Sequence, residues 1–525
     1  MSDKKMYKAG NFKFDMEFEW IGNWSGRRAL LTPEREAVYD NVEDKRYTFK
    51  DIETRANQLA RVLLNLDIRK GDRVATFSSN RMELIDLFFA TSKIGAILVP
   101  FNIRLASQEI EQLMHKMSPK ILFYENSLYS QIEHLENESK FNNRVVLDSR
   151  DFKNDTNIKS LTKKVSSTQV ERPKLNFEYP HLILFTGGTT GLPKGAILPH
   201  RLVFWNSINT ILTWGLRPDD IQPLLFPLFH TGGWNVLLMP FFHLGAKSIL
   251  MGDFDPLETM SIIEEEKCTI VIGVPTMFHV MANQNQFKSA KFKSVRVFIS
   301  GGAPCPVAIM ENYWNKNKHF KMGYGLTEVG PNNFYLPEKD IRNKPTSVGL
   351  PVLHCDMKII NDKGDNVSQG EVGELLLKGP HIFSGYWDEP QETKNAIEEN
   401  GYVHTGDLAK QDEDGYYYIV GRKKEMYISG GENVFPVEIE ELLYKHPAID
   451  EAAVIGVPDE KWGEVGKAFI TLKKGENINP DQVKEYLIER LAKYKIPKYF
   501  EIRDSLPTSG TGKILKKDLE KEEGL

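Results

Sequence analysis

The chain has 525 residues, 41% hydrophobic and 26% charged, a composition that is ordinary for a globular protein and a length that suggests at least two domains. The formal net charge of -5 argues against general nucleic-acid binding, which usually needs a basic surface. Cys268, Cys305 and Cys355 have no metal-ligand spacing and cannot form a disulfide framework, so we expect a reducing, cytoplasmic setting. The N-terminal sequence lacks the apolar core of a signal peptide, and no apolar run approaches the ~20 residues of a membrane helix, so we expect no transmembrane segment.

The first two thirds of the chain alternate short apolar runs with amphipathic helical patterns. Residues 81–94 have helical periodicity. Short runs with strand-like composition lie at 73–79, 96–101, 120–125, 144–148, 181–185, 269–274 and 296–300. The alternation predicts an α/β fold with a parallel-rich sheet, in which ligands gather at the carboxyl ends of the strands.

The pattern changes after residue 352. Strand-like runs with glycine turns at 357–360, 373–378 and 416–420 predict a small antiparallel, β-barrel-like subdomain. The segment after residue 421 has helical patterns of its own at 436–445 and 480–493, with strand-like runs between them. About a hundred residues are enough for a small independent domain, so we predict an α+β domain at the C-terminal end.

Residues 186–195, TGGTTGLPKG, follow one of the predicted strands. Four glycines and three threonines leave the loop with little side-chain bulk, so its backbone N–H groups can surround phosphate oxygens while Lys194 supplies a charge. Lys194 follows Pro193 and precedes Gly195, so the Gly-Lys-Ser/Thr ending of a P-loop NTPase is absent. Taken alone, the stretch fits either another kind of phosphate loop or a simple Gly/Thr surface loop.

Four further segments follow in a fixed order: MGYGLTEV at 322–329, GYVHTGDL at 401–408, YIVGRKKEMYISGGENVFPVEIEE at 418–441 and TSGTGKIL at 508–515. With the glycine-rich loop, this ordered set resembles the adenylate-forming superfamily, which contains acyl-CoA synthetases, luciferases and peptide-synthetase adenylation domains. The resemblance covers nearly the whole chain, from about Tyr47 to Lys516. It implies ATP, Mg²⁺ and coenzyme A as cofactors.

The resemblance also implies which residues bind the nucleotide. Lys194 and the loop threonines hold the β- and γ-phosphates, the ring of Tyr324 stacks on adenine, and Asp407, supported by Arg422, accepts the ribose hydroxyls. Considered singly, Tyr324 also fits a core tyrosine, and Asp407 with Arg422 also fits a surface ion pair. The implied nucleotide-binding residues are Thr186, Gly187, Gly188, Thr189, Thr190, Gly191, Lys194, Gly301, Gly302, Ala303, Gly323, Tyr324, Gly325, Asp407 and Arg422.

Three residues receive catalytic roles from the resemblance near the transferred phosphate. By resemblance, Thr327 contacts the α-phosphate and Glu328 binds Mg²⁺. A Mg²⁺ that bridges phosphates needs a carboxylate and little else from the protein. By resemblance, Lys513 neutralises the charge on the carboxylate and the α-phosphate as the pentavalent phosphorus forms. Taken alone, a lysine in a charged tail is expected to be solvated.

The resemblance places a hinge at Lys424. It divides the chain into an AMP- and acyl-binding domain, residues 1–423, and a mobile lid domain, residues 424–525. Two half-reactions then share one site through two orientations of the lid. In the second orientation, Gly430, Gly431 and Trp462 line the channel for the pantetheine arm of CoA, although Trp462 also fits a domain-packing role.

Residues 226–245, FPLFHTGGWNVLLMPFFHLG, form the predicted acyl side. His230 matches a gating aromatic near the substrate carboxylate in the family, and a structural histidine is the alternative. It is not a metal ligand, because no second ligand stands at the required spacing. Trp234, Met239, Phe241 and Ala303 are the apolar candidates for the pocket wall, and a bulky Trp234 shortens the pocket.

The chain most resembles free-standing acyl-CoA synthetases of the medium- and long-chain fatty-acid group. The implied reaction joins a carboxylate, ATP and CoA into acyl-CoA, AMP and diphosphate. An aryl-CoA ligase of the benzoate or cinnamate type and a ligase that loads a carrier protein remain alternatives, while the presence of Lys513 and Glu328 argues against a non-catalytic nucleotide-binding regulator. We therefore expect small-molecule partners and no nucleic acid. The sequence leaves open whether the chain forms a homodimer.

Overall fold

The computed structural model describes residues 16–137, 141, 143–187, 193–509 and 513–525. The helices are α1 (Trp24–Leu31), α2 (Phe49–Asn65), α3 (Met82–Ile94), α4 (Ser107–Met117), α5 (Ile158–Thr162), α6 (His200–Trp214), α7 (Leu238–Leu244), α8 (Pro256–Glu265), α9 (Pro275–Ala282), α10 (Asn285–Ser289), α11 (Val307–Trp314), α12 (Pro390–Ala396), α13 (Pro436–Tyr444), α14 (Pro480–Ile488) and α15 (Lys516–Glu522).

The strands are β1 (Glu36–Asp40), β2 (Lys45–Thr48), β3 (Arg73–Phe77), β4 (Ile97–Pro100), β5 (Ile121–Tyr124), β6 (Arg144–Val146), β7 (Thr156–Asn157), β8 (Pro180–Thr186), β9 (Lys194–Pro199), β10 (Ile221–Leu224), β11 (Lys247–Leu250), β12 (Ile270–Gly273), β13 (Val297–Ser300), β14 (His319–Met322), β15 (Phe334–Tyr335), β16 (Leu350–Pro351), β17 (Asp356–Ile360), β18 (Gly373–Lys378), β19 (Val403–Gln411), β20 (Tyr417–Arg422), β21 (Tyr427–Ser429), β22 (Glu432–Val434), β23 (Ile449–Asp459), β24 (Gly463–Leu472) and β25 (Tyr499–Arg503). All the strands and the helix predicted for residues 73–300 are present, with ends that shift by a few residues.

One mixed sheet has the strand order β7-β6-β5-β3-β4-β8-β9. Its strands are parallel from β7 to β8, and β9 returns antiparallel to β8. Strands β4 and β5 are buried along their whole length, because a core that includes α2 and α3 packs against this sheet. The loop between β8 and β9 is therefore the tip of a hairpin, an arrangement that the predicted parallel pattern did not anticipate.

Two more sheets complete the α/β layers. Strands β12, β13 and β14 are parallel neighbours, and β10, β11 and β1 are parallel with β2 antiparallel at the edge. The loops after β13 and β14 carry Gly301–Ala303 and Gly323–Glu328 at the carboxyl ends of adjacent strands. This placement confirms that parallel strands bring these two glycine-containing loops side by side.

Strands β17, β18, β19 and β20 form an antiparallel sheet, as the glycine-turn pattern predicts. In the hairpin of β19 and β20, Asp407 and Arg422 are directly opposite each other. Two residues with fourteen others between them in the sequence thus become cross-strand neighbours, which are the pairs that interact most strongly in a sheet.

The residues after Lys424 build a sheet of their own, in the order β22-β21-β24-β23, with β25 parallel to β24. A separate core of buried side chains such as Ile439, Val454 and Ile470 fills it. Helix α14 begins at Pro480 behind the reciprocal cap of Asn479 and Gln482, and it ends at Ile488, five residues before the predicted end. Among the described residues, no helix is long and apolar enough to cross a membrane.

Candidate active site

The glycine-rich loop starts and ends at a paired position, because Thr186 on β8 lies opposite Lys194 on β9. The Lys194 ammonium forms an ion pair with Glu392 of α12 and lies 5.3 Å from the ring centroid of Tyr386. Gly187 borders open space, since a Cβ added there would meet nothing within 4 Å. The predicted loop residues Gly188, Thr189, Thr190 and Gly191 lie outside the described residues.

A cavity of about 840 Å³ lies at the carboxyl ends of β13 and β14. It brings together predicted residues from four separate segments of the chain, from the loops after both strands, from the β19–β20 hairpin and from the C-terminal loop. The predicted residues in its wall are Gly302, Ala303, Gly323, Tyr324, Gly325, Asp407, Arg422 and Lys513. The volume is within the usual range for sites that hold a small-molecule ligand.

Asp407 is the centre of a polar cluster in this cavity. The Tyr324 hydroxyl donates to its Oδ2 at 2.5 Å, and the Arg422 guanidinium contacts its Oδ1 at 2.7 Å. Burial raises the pKa of Asp407, whereas the Arg422 charge and the Tyr324 hydrogen bond oppose that shift. The Asp407 carboxylate thus has two fixed partners. The hydrogen bond of its hydroxyl also fixes the orientation of the Tyr324 ring, part of whose surface remains open to the cavity.

Gly325 permits the tight turn that presents Tyr324. A Cβ at Gly325 would lie 2.2 Å from the carbonyl oxygen of Pro331, a distance that no side chain tolerates. By contrast, a Cβ at Gly301 would approach its nearest neighbour, the Gly323 carbonyl oxygen, only to 3.8 Å. The slot between the two loops is therefore free of side chains at Gly301 and Gly323, a shape that suits a flat ring.

Glu328 lies on a short helical turn, Thr327–Val329, directly after the Tyr324 loop. The Tyr386 hydroxyl donates to its Oε1 at 2.9 Å, and burial together with this carboxylate raises the pKa of Tyr386 well above its usual value. Because Lys194 lies beside the ring of Tyr386, one tyrosine connects the predicted metal residue with the end of the glycine-rich loop. The sequence analysis missed both Tyr386 and Glu392, since neither belongs to a motif that signals its partner.

Lys513 lines the cavity, and Arg422, Glu425 and Asp407 are among the charges that act on it. Burial and Arg422 lower the pKa of this lysine, and the two carboxylates oppose that effect. Its charge also acts with burial to lower the pKa of His230, whose ring retains an exposed edge although protein atoms surround it. Lys513 therefore lies between the polar cluster of Asp407 and the predicted acyl side.

The acyl-side residues differ from the prediction in their placement. Trp234 and Met239 do not line the cavity and are almost completely buried, whereas Ala303 lies in its wall. The indole of Trp234 stacks on Phe88 with ring centroids 4.6 Å apart and donates to the carbonyl of Leu228 at 2.5 Å. Trp234 belongs to a π-helical turn, Gly232–Val236, and such turns occur frequently at functional sites.

The predicted pantetheine residues form a group of their own, away from the cavity wall. Gly430 and Gly431 have φ values of 61° and 90°, which glycine adopts readily. The Gly430 N–H donates to the Trp462 carbonyl at 2.9 Å, and a Cβ at Gly430 would lie 2.9 Å from the Trp462 ring. About half of the Trp462 surface is exposed, so its ring offers an apolar face to solvent.

Comparisons with known proteins agree with the class that this architecture suggests, a nucleotide-binding α/β enzyme. A family model described as AMP-binding enzyme matches residues 26–387, and one described as AMP-binding enzyme C-terminal domain matches residues 438–513. The chain belongs to the AMP-binding enzyme family and thus to the adenylate-forming superfamily. Like its relatives, it is an AMP-forming acid–thiol ligase that uses ATP, Mg²⁺ and coenzyme A.

Three relatives illustrate the range of similarity. A feruloyl-CoA synthase from an Amycolatopsis species is 34% identical, with 97% of this chain and 100% of the relative covered. A long-chain-fatty-acid–CoA ligase of Mycobacterium tuberculosis, FadD13, is 33% identical over 94% of this chain and 97% of the relative. The crystal structure of ATP-bound MatB from Rhodopseudomonas palustris has a TM-score of 0.88 and 28% identity, and 96% of this chain and 99% of that chain are covered.

The side chains of the described residues are compatible with a magnesium ion whose ligands are mainly phosphate oxygens. They contain no group of three or more His, Cys, Asp or Glu side chains that would enclose a metal ion, and Glu328 is the carboxylate that the predicted site provides. Mg²⁺ in nucleotide sites usually keeps several waters and binds one or two carboxylates besides the phosphates. A single oriented carboxylate is therefore a sufficient protein contribution.

Proposed function

We propose that the chain forms the CoA thioester of a monocarboxylic acid with an apolar body, a medium- or long-chain fatty acid. The observation that carries this proposal is the acyl-side segment, residues 226–244, which contains no Lys, Arg, Asp or Glu. A second carboxylate or another charged group on the substrate would find no partner on this segment, and burying an unpaired charge is costly. An aliphatic chain needs no such partner.

An aryl acid of the cinnamate type is the second candidate. Trp234 is buried and stacks on Phe88, so a compact substrate needs less rearrangement around this indole than a long alkyl chain. The similarity to a feruloyl-CoA synthase at 34% identity also supports this candidate. The two candidates use the same reaction and differ in the length and flatness of the acyl pocket.

In the proposed first half-reaction, a carboxylate oxygen attacks the α-phosphorus of ATP, the bond to the bridging oxygen breaks, and diphosphate leaves. Lys513 stabilises the negative charge that accumulates on the phosphoryl and carboxylate oxygens, an electrostatic contribution that acts where the charge develops. Glu328, oriented by Tyr386, would hold Mg²⁺, and the ion would supply positive charge to the phosphates. Thr327 lies next to Glu328 on the same turn and is our candidate for the α-phosphate contact.

Asp407 and Arg422 hold the sugar end of the nucleotide in this proposal. The Asp407 carboxylate is fixed by two partners and accepts the ribose hydroxyls at the lone pairs that remain. The Tyr324 ring lies beside the slot between the two glycine-containing loops and stacks on the adenine. The loop between β8 and β9 holds the β- and γ-phosphates. To do so, Lys194 leaves its ion pair with Glu392 and contacts a phosphate instead.

In the second half-reaction, the CoA thiolate attacks the carbonyl carbon of the acyl-adenylate, and AMP leaves. In the present structure, the cavity wall contains Lys513 but does not contain Gly430, Gly431 or Trp462. We propose that residues 424–525 rotate about Lys424, which withdraws Lys513 and brings the Gly430 turn to the site. Because Gly430 and Trp462 already pack together, they can move as one surface.

A single assay separates the two candidate substrates. Fatty acids of C4 to C18 and substituted benzoates and cinnamates compete in a thioester-forming reaction with ATP, Mg²⁺ and CoA. A maximum of kcat/KM in the fatty-acid series supports the main proposal. A maximum among the cinnamates rejects it in favour of the aryl candidate, and product formation with a carrier protein alone would reject CoA as the acceptor.

A further inference from the structure

A short contact between a histidine and an aspartate joins the two predicted domains at the rim of the cavity. His279 lies on α9 in the N-terminal part, and Asp450 lies at the start of β23 in the C-terminal part. The His279 Nε2 is 2.7 Å from the Asp450 Oδ1, and the side-chain amide of Asn283 lies 3.0 Å from the same nitrogen. Both side chains are more than half buried, and contact with His279 lowers the pKa of Asp450.

The position of this pair connects it to Lys513. His279 lines the same cavity as Lys513 and Tyr324, and so does Glu451, the neighbour of Asp450. Burial and the adjacent Asp450 charge raise the pKa of Glu451, and Asp450 is the carboxylate through which β23 contacts His279 of α9. When the pair is formed, the sheet of the C-terminal part lies against α9, and the same arrangement has Lys513 inside the cavity.

We propose that His279 and Asp450 are positioning residues that hold the C-terminal domain in the orientation for adenylation. The inference rests on the two-orientation reaction proposed above. Rotation about Lys424 separates β23 from α9, so the contact exists in one orientation and is lost in the other. An interaction that one state makes and the other lacks shifts the equilibrium between them by its own free energy.

The first test measures the half-reactions separately in Asp450→Asn and His279→Gln. Adenylation is followed by ATP–diphosphate exchange, and thioester formation is followed from a supplied acyl-adenylate and CoA. We expect adenylation to fall about 3- to 10-fold, the range for a partly buried ion pair, with thioester formation unchanged or faster. The double variant should lose no more than the single ones, because both remove the same contact.

The matched control is Asp518→Asn, which removes the ion pair of Asp518 with Lys521 inside α15. It should leave the ratio of the two half-reactions unchanged. Equal losses in both half-reactions of the His279 and Asp450 variants, unchanged rates, or additive losses in the double variant would overturn the proposal.

A distance measurement tests the pair without any turnover. Spin labels at the exposed positions Lys339 and Lys474 report the separation of the two parts by pulsed electron paramagnetic resonance. We expect Asp450→Asn to deplete the distance population of the adenylation orientation, and an unchanged distribution contradicts the proposal. If the wild-type protein activates no acid at all, the proposed function fails, while this measurement still decides the role of the pair.

Discussion

At the scale of single residues, the predicted site contains carboxylates with fixed partners, of which Asp407 lines the cavity and Glu328 does not. Asp407 has Tyr324 and Arg422, and Glu328 has Tyr386. Each partner restricts a carboxylate to one direction before any ligand binds. Such restriction reduces the reorganisation that a reaction requires, which is the basis of electrostatic preorganisation.

Tyr386→Phe tests the orientation of Glu328. The change removes a hydroxyl that donates to the carboxylate at 2.9 Å and leaves the ring beside Lys194. We expect the Mg²⁺ concentration for half-maximal adenylation to rise roughly tenfold, because a hydrogen bond to a charged group contributes about 1.5–3 kcal/mol. The rate at saturating Mg²⁺ should change less.

Tyr39→Phe is the control for this experiment, since it removes a tyrosine–carboxylate hydrogen bond, from Tyr39 to Asp44, in the β1–β2 hairpin. A Mg²⁺ dependence that shifts equally in both variants would show that Tyr386 does not orient the metal residue.

Sequence motifs identified Asp407 together with its partners Tyr324 and Arg422, but not Tyr386, the partner of Glu328. Asp407, Arg422 and Lys513 belong to recognisable segments and meet in one cavity wall. Tyr386 is separated from Glu328 by 58 positions, and its hydroxyl meets the carboxylate only through the packing of the fold. No spacing rule predicts such a contact, because it depends on how two sheets pack rather than on one strand or helix.

At the scale of elements, strands β8 and β9 decide where the glycine-rich loop lies. The apolar run of β8 predicted a strand, whereas no strand was predicted for its partner β9, which directly follows the loop. The antiparallel return places Thr186 and Lys194 opposite each other. Trp234 is buried and does not line the described cavity, and its role in the acyl pocket stays a prediction, since apolar composition predicts burial but not whether a side chain faces a pocket or the core.

Trp234→Ala tests whether the indole of Trp234 limits the length of the acyl pocket. The variant loses the stack on Phe88, and we expect the free energy of unfolding to fall by about 3–5 kcal/mol, the usual range for a buried large-to-small change. We also expect the preferred fatty acid to become longer, with a gain of about 0.8 kcal/mol in binding for each methylene that the new cavity buries. ATP affinity should change little.

Trp314→Ala is the matched control for Trp234→Ala, because it removes a buried tryptophan from a different core cluster. It should destabilise the protein and keep the chain-length profile. If Trp234→Ala also keeps the profile, Trp234 is a packing residue only.

Strand β8 and helix α6 also bury two stacked histidines, His181 and His200, with ring centroids 4.6 Å apart. Burial lowers the pKa of His181 to about 4, against about 6.5 in an unfolded chain. A lowered pKa means that the folded state favours the neutral ring, so its stabilisation is complete above about pH 6.5 and is lost as the pH falls towards 4. The loss amounts to about 3 kcal/mol from this residue.

His181→Phe should therefore flatten the decrease of unfolding free energy between pH 6.5 and 4, as measured by denaturant unfolding at a series of pH values. Phe88→Leu disturbs the same packing without removing a titratable group, so it should lower the whole curve and keep its slope. An unchanged slope in His181→Phe contradicts this assignment.

At the scale of the whole molecule, the central claim concerns two orientations of the C-terminal part. Its sheet and core consist of residues after 424, so it can rotate without breaking a shared sheet. Lys513 contacts the cavity in the present arrangement, whereas Gly430 and Trp462 do not line it. The division at Lys424 remains a prediction from the motifs, because buried cores suggest units that can move but do not measure motion.

The most direct measurement of this claim compares the half-reactions in Lys513→Ala. ATP–diphosphate exchange reports adenylation, and a supplied acyl-adenylate with CoA reports thioester formation. We propose that Lys513 acts only where charge develops on the α-phosphate, and we therefore expect adenylation to fall roughly 10²–10³-fold while thioester formation stays within about twofold of wild type. An equal loss in both half-reactions would contradict the account, since Lys513 would then serve both orientations or support the fold.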